Sequence, residues 1–181
     1  LLMRSDTHAA PLFESVIRAG LKIKFHTPNA LHVRWINPEI AGLMYRAGLK
    51  TIRLGLESTH TDQRSEHDSK VSMEEYHQAI ACLHAAGFNK NQIGVYLMVG
   101  LPNQSLKEVI DSIQTVKKSN AQPVLAQYSP IPHTSLWPVA LTASRYNLES
   151  DPIYTNNAIF PCQKVLFSWQ TISRLKELAS E

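Results

Sequence analysis

The chain has 181 residues, 44% of them hydrophobic, so it is long enough for one domain with a sizeable core. A net charge of +3, without clustered lysines and arginines, argues against a dedicated nucleic-acid surface. Apolar runs fall short of the ~20 residues of a membrane helix, and Arg4 and Asp6 interrupt any signal peptide. Two cysteines, Cys82 and Cys162, form neither a disulfide scaffold nor a recognisable metal site, so we expect a cytoplasmic protein. Because its apolar runs are short, we also expect no membrane partner.

A recurring helix end organises the first half of the chain. Ile17–Lys22 returns as Tyr45–Lys50 and, more loosely, as His84–Asn89. Each copy places a glycine where a helix ends in a left-handed backbone conformation. A β-rich segment follows each copy, at Leu21–Phe25, Thr51–Leu56 and Gln92–Val99. The chain therefore alternates between helix and strand.

Three helix starts carry capping patterns: Asn37-Pro38-Glu39, Ser72 with Glu75, and Ser105 with Glu108. In the first, a proline and an acidic residue occupy the first turn, where both are favoured. In the other two, serine and glutamate stand three residues apart, as in a capping box. The helix that includes Val109–Lys118 precedes a fourth strand near Val124–Tyr128.

This alternation predicts an α/β fold with a parallel sheet and right-handed crossovers. The absence of a GxGxxG turn favours a partial (β/α) barrel over a dinucleotide-binding sheet. Beyond Thr134, we expect a helix at Trp137–Arg145, an irregular loop at Tyr146–Pro161 and a terminal helix at Gln163–Leu178. The predicted division is a barrel at residues 1–143 and a C-terminal extension at residues 144–181.

Polar residues follow the strand that begins at Thr51. In parallel folds, small molecules bind at the carboxyl ends of strands, where Glu57 and Ser58 stand. A carboxylate there can accept hydrogen bonds from ribose hydroxyls or an ammonium group, or it can tether a loop. Arg64 and Lys70 are candidates for a ligand carboxylate or phosphate, with a solvated surface cation as the alternative.

Two further strand exits have sequences suited to a ligand. In Gly94–Ser105, an apolar strand runs into Gly-Leu-Pro, and Tyr96 could reach a ligand or a neighbouring backbone group. In Gln127–Thr134, two prolines stiffen the exit and would place Ile131 rigidly beside a planar ring. The eight histidines are scattered, so we expect no histidine metal site.

Together these segments resemble the later part of the radical S-adenosylmethionine (SAM) enzyme barrel, from about Phe25 to Thr134. The resemblance rests on four segments in register: Phe25–Leu31, Ile52–Ser58, Gly94–Ser105 and Tyr128–Thr134. It implies a partial (β/α)₆ barrel that binds SAM, in an iron–sulfur oxidoreductase. In that family a 4Fe-4S cluster reduces SAM, and the 5′-deoxyadenosyl radical released abstracts a hydrogen from the substrate.

The resemblance also implies roles for individual residues near the SAM methionine and ribose. Glu57 resembles the residue that contacts SAM at the end of its strand, and Ser58 stands beside it. Lys70 resembles the cation that pairs with the methionine carboxylate, with Arg64 as a rival. His26-Thr27 stand at the end of an earlier strand.

The remaining implied contacts surround the nucleoside of SAM. Tyr96 stands where a ribose-contacting side chain occurs. Gly100 would let the backbone approach the adenine, and Pro130 and Ile131 resemble the strand exit that packs on that ring.

The sequence departs from the family in one important respect. It holds no CxxxCxxC loop, and neither Cys82 nor Cys162 can replace the three thiolates that bind the cluster. We therefore expect these residues to form the later part of the core, inactive alone, with a missing N-terminal segment of the same polypeptide as partner. The alternatives are a non-catalytic barrel remnant serving as an interaction module and an unrelated phosphate-binding barrel enzyme. The lack of glycine in Ser129–Thr134 counts against the second.

Overall fold

The computed structural model describes residues 2–59, 71–163 and 168–181, and only the backbone of Glu57. In these ranges the strands are β1 Phe25–His26, β2 Leu49–Glu57, β3 Ile93–Val99 and β4 Gln122–Gln127. The α-helices are α1 Ala10–Arg18, α2 Pro38–Ala47, α3 Met73–Ala86, α4 Leu106–Lys118, α5 Trp137–Ala143 and α6 Trp169–Ser180. No helix in the described ranges combines the length and the apolar character needed to cross a membrane.

The four strands form one sheet in the order β1-β2-β3-β4. They run parallel and build a half-barrel with the helices, which confirms the predicted fold class. Strand β1 pairs with β2 in parallel, with Phe25 opposite Leu49 and His26 opposite Thr51. It is shorter than the predicted Leu21–Phe25, because it forms the edge of the sheet and its register with β2 shifts after Phe25.

The predicted helix starts are confirmed by their hydrogen bonds. Asn37 accepts from the Ile40 amide at 2.8 Å. Ser72 and Glu75 form a reciprocal capping box, in which the Ser72 amide donates to Glu75 at 2.9 Å. Ser105 and Glu108 do the same, at 2.7 and 3.2 Å. Local spacing in the sequence thus determines where these helices begin.

The chain divides into two compact units. Unit 1 comprises Leu1–Leu56, Val71–Tyr96 and Val116–Pro123, and unit 2 comprises Glu57–Lys70, Leu97–Thr115 and Val124–Glu181. The two units are defined by how the chain packs. They do not test the predicted domain boundary after residue 143, which stays a prediction.

In unit 1, burial alternates along β2. Ile52 and Leu54 are fully buried, whereas Thr51, Arg53 and Gly55 are only partly buried. We call the side of the strand that carries these last three residues the half-buried face of unit 1. Helix α2 packs against both α1 and α3. The turn into β2 requires a glycine at position 48, because its φ is +99° and a Cβ atom would collide with the Ile23 carbonyl.

Unit 2 has a core around α5. Its buried residues are Leu101, Tyr128, Ala140, Ala143, Leu148 and Cys162. The segment predicted as an irregular loop contains two short 3-10 turns, Pro152–Thr155 and Asn157–Ile159. The amide of Arg145 donates to the Pro161 carbonyl at 3.1 Å. This bond joins the two ends of the segment.

Candidate functional site

The first predicted group of site residues follows β2. Glu57 is the last residue of that strand, and its side chain lies outside what the structure describes, as do Arg64 and Lys70. Ser58 is buried, with 4% of its surface exposed. Thr59, the next residue, is bonded through its amide and its hydroxyl to the Ser112 hydroxyl of α4, at 3.4 and 2.9 Å.

The loop after β3 is organised by one side chain, Gln104, that the sequence analysis missed. Its carbonyl oxygen accepts from the amides of Gly100 and Leu101, at 2.8 and 3.3 Å. Its amide group donates to the Met98 carbonyl at 2.9 Å. Gln104 is 5% exposed, and Gly100 has a φ of +88°. The Gly100 N–H is therefore already used, and an adenine contact at Gly100 must use another backbone atom.

The segment Phe160–Gln163 packs on this same loop. A Cβ atom on Gly100 would lie 3.5 Å from the Phe160 ring, which itself contacts Trp169 edge-on. Gln163 donates to the Leu101 carbonyl at 2.6 Å and is 7% exposed. Gln163 is a second residue missed at the sequence level. No local pattern marks it, whereas Gln104 stood within a segment already singled out.

The exit from β4 is held by hydrogen bonds and by a buried proline. The Tyr128 amide donates to the Val99 carbonyl of β3 at 2.8 Å, so the two strand ends are joined. Pro130 is buried, and the side chain of Ile131 is 59% exposed. The Thr134 hydroxyl donates to the Ile131 carbonyl at 2.7 Å. Ile131 thus presents an apolar surface on a backbone held by proline and hydrogen bonds.

Tyr96, His26 and Thr27 belong to unit 1. The Tyr96 hydroxyl donates to the Pro28 carbonyl at 2.9 Å, so its proton is committed to the backbone and only its lone pairs remain for a ligand. The His26 Nδ1 lies 2.8 Å from the Thr51 hydroxyl. The Arg53 amide donates to the Thr27 hydroxyl at 3.0 Å. These contacts hold the segment after β1 to β2.

Unit 2 also contains a cavity of about 740 Å³ that none of the predicted site residues lines. It lies between α5, the loop after β3 and the segment Phe160–Gln163. Its walls include Gln104, Val139, Cys162 and Gln163. The amide of Gln104 donates to the Met98 carbonyl of β3, and that of Gln163 donates to the Leu101 carbonyl of the loop that follows. The cavity is thus bounded by the same side chains that shape the loop.

The cysteines do not suit an iron–sulfur cluster. Cys82 and Cys162 are both buried and free, and they belong to different units. Burial raises the pKa of the Cys82 thiol and raises that of Cys162 to about 11, whereas an iron ligand must be a thiolate. No group of three or more His, Cys, Asp or Glu side chains suited to a metal occurs among the described residues.

By its fold, the protein is a parallel α/β half-barrel. Its candidate ligand residues stand at the exits of the strands. The sequence matches the family model of the Radical SAM superfamily over residues 5–116, which is more than half of the chain. The chain therefore belongs to the Radical SAM superfamily. This membership favours the radical SAM interpretation over an unrelated phosphate-binding barrel.

Several solved structures share the fold. The radical SAM methyltransferase TsrM from Kitasatospora setae, with cobalamin and a [4Fe-4S] cluster bound, is similar at a TM-score of 0.61 and 14% identity, covering 75% of this chain and 28% of that one. Methylornithine synthase (PylB) is similar at 0.64 and 12%, covering 97% and 44%. Coproporphyrinogen III oxidase (HemN) from Escherichia coli is similar at 0.57 and 12%, covering 93% and 36%.

At these identities the likeness concerns the fold. The chain spans less than half the length of each of these structures. No curated protein matches the sequence.

Proposed function

We propose that this chain forms the SAM-binding part of a radical SAM enzyme. The observation that carries the proposal is the family match over residues 5–116, on a chain folded as a parallel half-barrel. SAM, when bound in an enzyme of this class, supplies the adenosyl radical that abstracts hydrogen from a substrate. The residues of this chain would bind SAM, orient it and exclude water from it.

The adenine would be held by the strand exit after β4 and by the loop after β3. The exposed side chain of Ile131 supplies an apolar surface for the purine ring, and Pro130 fixes the backbone behind it. Gly100 would contribute backbone contacts other than its N–H, which Gln104 occupies. Support for this placement comes from the exposure of Ile131 and the rigidity of its surroundings.

The polar parts of SAM would be bound by residues after β2. We assign Glu57, with Ser58 beside it, to the ribose or the ammonium group, because a carboxylate accepts hydrogen bonds from both. Lys70 or Arg64 would pair with the methionine carboxylate. Tyr96 would accept a hydrogen bond from the ribose through its remaining lone pairs.

The cluster requires thiolates that these residues do not supply. Two buried cysteines cannot provide the three ligands that a SAM-binding cluster needs. We propose that these ligands lie on a further segment of the same polypeptide. Reconstituting this chain alone with iron and sulfide should therefore leave it without stoichiometric cluster absorbance, and a stoichiometric cluster would contradict the proposal.

Titration calorimetry of the chain with SAM tests the binding site. Ile131→Ser should weaken binding about tenfold, because the apolar surface of an isoleucine side chain buried by the ligand contributes roughly 1.5–3 kcal/mol. Ile153→Ser is the matched control, since Ile153 belongs to the same unit and is 60% exposed, against 59% for Ile131. Equal SAM affinity in the two variants, or no binding by the unmodified chain, would count against the proposal.

A further inference from the structure

Arg53 has an environment unlike that of the other arginines. Of the arginines in the described ranges, it alone is partly buried, and the rest are exposed. It lies on the half-buried face of unit 1, between Thr51 and Gly55 along β2. Its position inside a strand fixes the direction of its side chain more firmly than a loop would.

The guanidinium group of Arg53 has few partners. Its Nη1 donates to the Ile52 carbonyl at 3.2 Å, and no carboxylate of the described residues pairs with it. A guanidinium group has five N–H donors and keeps its charge at any ordinary pH. Taking a charge partly out of water without a counter-charge is unfavourable, so this group is suited to accept an anion.

Gly94 of β3 makes room for this side chain. A Cβ atom on Gly94 would lie 2.6 Å from Nη1, 2.9 Å from Cδ and 3.0 Å from Cζ of Arg53. The guanidinium group therefore lies across the backbone of the neighbouring strand, at a position where any larger residue would displace it. A glycine inside a strand is unfavourable for the strand itself and often marks such a close approach.

Two described side chains near Arg53, one on β2 and one on β3, offer hydrogen bonds without negative charge. Thr51 precedes Arg53 by two positions, about 7 Å along the strand, and its hydroxyl lies 2.8 Å from His26 Nδ1. Tyr96 follows Gly94 by two positions, and its hydroxyl donates to Pro28. An anion beside Arg53 would therefore meet no carboxylate from these residues.

We propose that Arg53 binds an anionic group of the substrate, a carboxylate or a phosphate monoester. This inference rests on the proposed function, because it takes the half-buried face as the surface that the substrate occupies. Arg53 then selects substrates by charge, and it positions them through paired N–H···O hydrogen bonds. Gly94 keeps the guanidinium group in place.

The test is a titration of the full chain with inorganic phosphate and, separately, with succinate, followed by NMR. Arg53→Gln should weaken binding of the preferred anion about tenfold, because hydrogen bonds to charged groups are the strong ones. Gly94→Ala should weaken it several-fold, since the added methyl displaces the guanidinium group. Arg46→Gln, an exposed arginine of α2 in the same unit, is the control and should bind as the wild type does.

The two anions distinguish the two sources of negative charge. Preference for succinate assigns a carboxylate substrate, and preference for phosphate assigns a phosphorylated one. No binding of either by the wild type, or equal binding by wild type and Arg53→Gln, overturns the inference.

A SAM titration of the same variants separates the two proposals. If SAM binds normally and the anion affinity does not depend on Arg53, the anion-binding inference is wrong and the proposed function stands. An Arg53-dependent anion site in a chain that does not bind SAM removes the proposed function and leaves the anion site in place.

Discussion

Two buried tyrosines, one in each unit, differ in what their hydroxyl groups meet. Tyr76 of unit 1 is fully buried, and its hydroxyl lies 2.6 Å from that of Ser119. Tyr128 of unit 2 is 7% exposed, and its hydroxyl has no hydrogen-bond partner among the described residues. Burial raises the pKa of each to about 12.

Both tyrosines are buried, but they differ in the hydrogen bonding of their hydroxyl groups. A buried hydroxyl with a partner contributes to stability, whereas one without a partner costs the free energy of its lost hydration. Unit 1 has satisfied its buried phenol. In unit 2, the Tyr128 phenol has no partner among the described residues and lies beside Cys162, in the core against the loop after β3. Three substitutions test how the two units depend on their buried hydrogen bonds, from the largest expected change in stability to the smallest, and a fourth prediction concerns pH.

Gln104→Leu should destabilise the protein by about 3 kcal/mol, because two backbone N–H groups of the loop and the Met98 carbonyl of β3 lose their hydrogen bonds to Gln104. Urea unfolding followed by circular dichroism measures the change. The control is Gln114→Leu, at an exposed position of α4, which should change stability little. Similar losses in both variants would show that the buried hydrogen bonds of Gln104 are not what stabilises unit 2.

Tyr76→Phe should destabilise the protein by about 1 kcal/mol, because it removes one buried hydrogen bond and keeps the ring. The same unfolding measurement applies. Tyr45→Phe serves as its control, since Tyr45 is 44% exposed in the same unit. A Tyr76→Phe protein as stable as the wild type would remove the contrast between the two tyrosines.

Tyr128→Phe should leave stability unchanged or raise it by up to about 1 kcal/mol, since the hydroxyl it removes has no partner among the described residues. Chemical unfolding at neutral pH gives the sign. A loss of stability as large as that of Tyr76→Phe would mean that the Tyr128 hydroxyl has a partner after all.

The two tyrosines should behave alike at high pH. Because each folded-state pKa is raised from 10.0 to about 12, ionisation of each phenol leaves stability unchanged below pH 10 and lowers it as pH rises from 10 towards 12. Each Phe variant should therefore lose less stability than the wild type between these pH values. Unfolding curves across this range measure the difference. Identical pH dependence in wild type and variants would show that neither phenol titrates abnormally.

The sequence predicted those features of the fold that depend on neighbouring positions. Ser72 and Ser105 were assigned as caps because the glutamate that completes each box stands three residues away. The alternation of helix and strand predicted the half-barrel in the same way. The edge strand was placed too early, because its exact length depends on pairing with β2 rather than on its own composition.

The position of the candidate site stays a prediction, and the structure adds contacts around it that the sequence does not show. The strand exits at Gly100 and Ile131 were found from their Gly-Leu-Pro and proline patterns. The Gln163 contact with Leu101 joins residues 62 positions apart, and nothing in the local sequence announces it. The close approach of Arg53 to Gly94 also crosses from one strand to the next. Such contacts follow from three-dimensional packing, which a single sequence does not display.

The occupied amide of Gly100 has a consequence for nucleobase selection. With that donor held by Gln104, Gly100 can offer a purine only its carbonyl oxygen, an acceptor. Under the proposed function, such a backbone favours a base whose edge carries an exocyclic amino group and disfavours one with a keto oxygen there. We therefore expect the inosine analogue of SAM, in which a keto oxygen replaces the amino group of adenine, to bind more weakly than SAM.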